Sequence, residues 1–147
     1  MKVYLDNCCY NRPYDDQTQT RISLETQAKL QIQSMVRNHK LELVSSYVLM
    51  YENSKNPYEM RRNAIKNFVK EHTSIYIDVD RGDTVKALAD EIIFTGVKTA
   101  DAYHVACAIL AGSDCFLTTD DRLLRYRTDK IMMMNPTEFI QQWREKL

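Results

Sequence analysis

The sequence predicts an α/β fold in which a central, mainly parallel sheet of about five strands carries helices on both faces. Three observations predict it. Short apolar runs of strand length recur along the chain, longer stretches with helical spacing separate them, and three glycines and three prolines are too few to build long irregular linkers. Strictly alternating elements favour parallel pairing, because a parallel strand is reached only by a crossover and a helix is the usual one.

The strand-like runs lie at 2–5, 41–45, 75–79, 115–118 and 131–134. Helical spacing occupies 17–38, 46–54, 57–71, 82–95, 98–111, 121–127 and 137–146. Local signals punctuate these stretches. Pro57 and Pro136 stand where helices begin, Asp80 is placed to cap the helix that follows it, and Gly96 and Gly112 follow helical stretches as stops.

With 147 residues and 44% hydrophobic content, the chain suits one domain, 1–147, around a single core. Twenty basic residues balance twenty acidic ones, so no global field draws nucleic acid, and any such partner requires a local patch or a metal. Cys8 and Cys9 are adjacent, Cys107 and Cys115 fall in apolar patterns, and no C-x-x-C occurs, which predicts free thiols. Asp6 interrupts the first apolar run, and no run approaches the roughly 20 residues that span a bilayer. A soluble, cytoplasmic protein without a membrane partner is expected.

In open parallel sheets ligands gather beyond the carboxyl ends of the strands, so acids are sought there. Asp6 follows the first strand directly; alone it reads equally as a turn or cap residue. Glu52 falls on the apolar stripe of the helix after strand two, where a carboxylate is costly unless paired. Asp101 lies in the first turn of an alanine-rich helix, which by itself reads as dipole complementarity. Asp120 ends the fourth strand segment and precedes Asp121, where capping is the ordinary role. Together the four converge on one end of a parallel sheet. Carboxylates so gathered repel one another unless a cation neutralises them, and hard oxygen ligands suit Mg²⁺ or Mn²⁺.

Val3-Tyr4-Leu5-Asp6, Ser45-Ser46-Tyr47-Val48-Leu49-Met50-Tyr51-Glu52, Thr99-Ala100-Asp101-Ala102-Tyr103-His104-Val105-Ala106-Cys107-Ala108 and Phe116-Leu117-Thr118-Thr119-Asp120 resemble, in order and spacing, the acid-bearing segments of the PIN-domain family. The resemblance covers essentially the whole chain. It implies a three-layer α/β/α domain that binds Mg²⁺ or Mn²⁺ through Asp6, Glu52, Asp101 and Asp120 and hydrolyses RNA. Small stand-alone members resemble the toxin halves of VapBC toxin–antitoxin pairs, which implies a cognate antitoxin and a homodimer as partners. Where the family usually has Thr or Ser after the first Asp, this chain has Asn7, whose amide can still hydrogen-bond a carboxylate. The Thr-x-Asp register favours Asp120 over Asp121 as the fourth acid, with Thr118 in support.

His104 shares a helix face with Asp101 and reads first as a satisfied, partly buried histidine. Arg12, Lys55, Arg61, Arg62, Lys98, Arg122 and Arg125 flank the acid segments, mostly as solvated surface. Two rivals stand beside the nuclease reading: a catalytically weak or inactive PIN-like module that binds RNA or protein, and a receiver-like domain. The latter expects an acidic pair after strand one, and Asp6 stands alone there.

Overall fold

A computed structural model of the chain describes residues 1–145. Its first strand, β1 (Lys2–Leu5), lies at the centre of the sheet, paired in parallel with β2 (Glu42–Ser46) on one side and β4 (Cys115–Leu117) on the other. Outside these lie β3 (Thr73–Ile77) and β5 (Met132–Met134), giving the order β3-β2-β1-β4-β5 with every neighbouring pair parallel. The expected mainly parallel α/β sheet is therefore present.

Side chains alternate across each strand and sort into two cores. Val3, Leu5, Leu43, Cys115, Leu117 and Met134 face one side, while Tyr4, Val44, Phe116 and Met133 face the other. The first side is covered by α1 (Asn7–Asn11), α2 (Thr20–Arg37), α4 (Glu59–His72) and α8 (Pro136–Glu145), joined by Leu49 of α3 (Tyr47–Ser54). The second is covered by α5 (Gly82–Phe94) and α6 (Thr99–Leu110), with Leu123 of α7 (Asp121–Leu124). This is the three-layer α/β/α arrangement. Each fully buried aliphatic or aromatic side chain contributes about 1.5–3 kcal/mol relative to exposure.

Pro136 opens α8, and Gly96 and Gly112 adopt φ of 106° and 73° after α5 and α6, as expected of helix stops that need the left-handed region. Asp80 is a correction. The Asp78 carboxylate accepts from Val79 N–H at 2.7 Å, ends β3 at Ile77 and starts a 3-10 turn over Val79–Arg81. Asp80 lies inside that turn, and α5 begins at Gly82 without a side-chain cap. The expected last residue of the final helix, 146, lies outside the described residues. Short α1 was unmarked by periodicity, because five residues make little more than one turn.

Helix α2 buries two charged residues that an apolar pattern does not reveal, Glu25 and Lys29, 2% and 5% exposed. Glu25 accepts from Arg12 Nε at 2.9 Å, from Arg21 Nε at 3.2 Å and from Asn135. This network ties α2 to the loops after α1 and β5. Among the described residues no helix is long and apolar enough to cross a membrane.

Candidate active site

The chain moves outward from β1 to β2 to β3 and then crosses back to place β4 on the other side of β1. The strand order thus reverses between β1 and β4, and in open α/β sheets the place beyond the carboxyl ends of such strands is where ligands bind. Asp6 and Asp120 follow β1 and β4 at that end of the sheet. Asp6 N–H donates to Leu117 O at 2.9 Å, so the two strands end level.

Asp6 is 5% exposed and caps α1: one carboxylate oxygen, Oδ1, accepts from Asn7 N–H at 2.8 Å. The other, Oδ2, accepts from Thr118 Oγ1 at 2.9 Å and, weakly, from Cys8 Sγ at 3.4 Å. Thr118 Oγ1 also accepts from Asp120 N–H at 3.1 Å. The expected supporting role of Thr118 has this geometry: one hydroxyl holds both the first acid and the backbone of the fourth.

Glu52 reaches the same end from α3, whose N-terminus is capped by Ser46 accepting from Leu49 N–H at 3.2 Å. Its Oε2 lies 2.6 Å from His104 Nε2. A carboxylate only accepts, so Nε2 carries the hydrogen. On the far side of the ring, Nδ1 meets Tyr4 OH at 2.7 Å, and Tyr4 OH meets Ser46 Oγ at 2.6 Å. His104 is 1% exposed, the satisfied histidine expected, yet it touches a candidate acid. The bond to His104 holds Glu52 below the ordinary carboxylate range against the effect of burial, and the Asn7 side chain adds to this. Burial opposes the imidazolium, but the bond to Glu52 and the charges of Asp6, Glu52 and Asp101 outweigh it and hold His104 above its usual value.

Asp101 sits in the first turn of α6, one turn before His104. Partial burial pushes its carboxyl up to about 6, and the charges of Asp6, Asp120 and Glu52 push in the same direction while His104 opposes them. Residues from four separate segments therefore act on one another here. Asp120 caps α7 through Oδ1, accepting from Arg122 N–H at 2.9 Å. Asp121 turns the other way, into a two-pronged pair with Arg21 at 2.7 and 2.8 Å. That pair separates the two adjacent acids.

The donor set, four carboxylates, has the chemistry that Mg²⁺ or Mn²⁺ takes. Its mutual repulsion at Asp101 is what a cation relieves. Among the described residues, however, no three His, Cys, Asp or Glu side chains stand as a ready-made ion cage. Asp6, Glu52 and Asp120 are each engaged by protein donors, as described above.

Sequence reasoning did not find Cys8, Tyr4 or Ser46 beside the acids. Cys8 Sγ lies 3.3 Å from Thr118 Oγ1, and the signal for it was only its place two residues after Asp6. Tyr4 reads as a strand residue and Ser46 as the start of the following helix, whereas Ser46 ends β2 and the pairing of β1 with β2 brings the two together.

No family model matches this chain, and no curated protein does. Solved structures do. The crystal structure of VapBC2 from Rickettsia felis, bound to a DNA fragment from its promoter, matches with a TM-score of 0.55 at 14% identity, over 92% of this chain and 98% of that one. That of FitAcB from Neisseria gonorrhoeae matches with a TM-score of 0.56 at 15% identity, over 91% of this chain and 97% of that one. The fold is PIN-like. At such identity the likeness speaks for the PIN-like architecture alone, and function has to be argued from the site.

Proposed function

We propose that this chain is a divalent-metal-dependent endoribonuclease and the toxin half of a toxin–antitoxin pair, acting in the cytoplasm on RNA phosphodiester bonds. The observation that supports this reading is that the Thr118 hydroxyl ties the Asp6 carboxylate to the backbone of Asp120 at the strand-order reversal of a PIN-like sheet, while Glu52 is held at the same end by His104, one helical turn from Asp101. These four acids would hold Mg²⁺ or Mn²⁺. When bound, such an ion supplies Lewis-acid polarisation of a phosphodiester and makes water a better nucleophile.

The chain's own residues do the positioning. Thr118 fixes Asp6, the capping bonds of α7 orient Asp120, and His104, braced by Tyr4, holds Glu52. Asn7 supports the Glu52 carboxylate from α1. The resemblance to VapBC toxins, together with a VapBC structure among those of similar fold, supports an antitoxin and a second copy of the chain as partners.

Purified protein incubated with single-stranded and structured RNAs tests the activity. The reading expects internal cleavage that appears with Mg²⁺ or Mn²⁺ and disappears with chelator and in Asp6→Asn. Inertness under all conditions would reject it.

One observation favours a second reading. Glu52 is already bonded to His104 and among the described residues no ion cage is preformed, as a PIN-like RNA- or protein-binding module without cleavage would have it. RNA retention that ignores chelators, with no cutting, selects that version.

A further inference from the structure

The chain carries no net charge, yet basic side chains crowd one cavity. This cavity, of 390 Å³, lies between the loop that enters α6 and the segment that leaves α7. Lys98, Arg122, Arg125 and Arg127 line it together with Tyr126, and Asp101 forms part of its wall. Asp101 therefore belongs both to this cavity and to the group of acids. Asp101 is the residue that links the two.

The backbone that presents these arginines is fixed. Leu123 is 2% exposed and anchors the segment in the core, Arg125 N–H donates to Arg122 O at 3.2 Å, and Tyr126 N–H donates to Leu123 O at 3.0 Å. The acid next to Arg122, Asp121, is occupied by Arg21. Among the described residues none of Lys98, Arg122, Arg125 and Arg127 forms an ion pair. Four cations around one concavity, set against the single carboxylate of Asp101, favour an anion. Guanidinium groups bind phosphate oxygens in a fork, and a volume within the roughly 300–1,000 Å³ of small-ligand sites suits a nucleotide unit.

We propose that this cavity holds the phosphate of a single RNA strand adjoining the bond at the acids, with Tyr126 offering its ring to the neighbouring base. The inference rests on the nuclease reading for the choice of RNA, while the phosphate chemistry stands on the cavity itself. It supplies the local patch that a chain without net charge needs to bind nucleic acid.

The test is fluorescence anisotropy of a short labelled single-stranded RNA in EDTA, so that binding is read without cleavage. Wild type is compared with Arg125→Ala/Arg127→Ala and with a control of equal charge loss on α4, Arg61→Ala/Arg62→Ala. All are checked for unchanged thermal midpoints. The cavity variant is expected to bind about tenfold more weakly or worse and to show a shallower dependence of affinity on salt, with partial recovery in Arg125→Lys/Arg127→Lys. The control should stay close to wild type.

Equal binding by wild type and cavity variant, or equal loss in the control, overturns the proposal. So does wild type that ignores RNA but takes an acidic polyglutamate peptide through the same arginines, or prefers single-stranded DNA of the same sequence. A Mn²⁺ cleavage assay keeps the two readings apart. RNA held by these arginines but never cut rejects the nuclease and keeps the phosphate site; RNA cut and bound equally well without them does the reverse.

Discussion

The carboxylate of Glu52 and the imidazole of His104 meet at 2.6 Å and join α3 to α6. The contact ends a buried chain that runs from Ser46 through Tyr4 and the His104 ring. A candidate acid that is 39% exposed is thus steered from inside the core. Its position depends on residues that would never meet the substrate.

Tyr4→Phe removes the hydroxyl that serves both Ser46 and His104; Ser46 keeps the Leu49 N–H, while the buried His104 Nδ1 loses its partner. The expected loss is about 1–3 kcal/mol in urea unfolding, with His104→Ala/Tyr4→Phe costing less than the sum of the single changes. Additive costs would mean that the chain of bonds is not one unit.

Asp6→Asn separates fold from chemistry. Asparagine caps helices about as well as aspartate, so stability should change by about 1 kcal/mol or less. RNA cleavage should nevertheless fall by about 100-fold or more, because the negative charge at the end of β1 is gone. Loss of activity that merely tracks unfolding would contradict this account.

Asp101→Asn should stabilise the chelator-treated protein. The carboxyl of Asp101 is pushed up to about 6, chiefly by burial and then by Asp6 and Asp120, so its ionised form works against the folded state. A raised carboxyl pKa means that this cost is full above about 6 and fades as pH falls toward the ordinary 3.8. The variant should gain on the order of 1 kcal/mol at pH 7.5, a figure reduced for the half-exposed setting, and nothing near pH 4. Thermal melts at both pH values check it.

Lys29 gives an independent test away from the acids. It is 5% exposed, 5.6 Å above the Tyr10 ring, and burial brings its pKa down to about 8 from 10.5. A depressed lysine pKa costs most where the ammonium form persists, below about 8, and the cost disappears above 10.5. Lys29→Met should therefore raise stability by about 1–3 kcal/mol at pH 7, with the advantage shrinking as the solution is made alkaline. Destabilisation at pH 7 would show that the ammonium is better solvated than its burial implies.

The architecture was legible because short unbroken apolar runs such as Val3-Tyr4-Leu5, buried on both faces of the sheet, and period-3.6 stretches such as 98–111 are each imposed by the layers they pack against. Strand order was not, since nothing local says that β4 returns to the far side of β1. The four acids were found by position relative to strand ends, a rule of the backbone. Their contacts were less legible: Thr118 was expected in support of Asp120, but its bond to Asp6, and that of Tyr4 to His104, arise only through sheet pairing and packing across the chain. Buried Glu25 was hidden for a related reason, because its cations, Arg12 and Arg21, come from the loop after α1 and from its own helix. Asp80 was misread because Asp78 two residues earlier captured the turn.

The central claim is that Asp6, Glu52, Asp101 and Asp120 act together as the seat of a divalent cation. Calorimetric titration of Mn²⁺ into wild type and Asp6→Asn measures it directly. The account predicts saturable binding by wild type that weakens about tenfold or more when the Asp6 charge is removed. Equally poor binding by both proteins would contradict it.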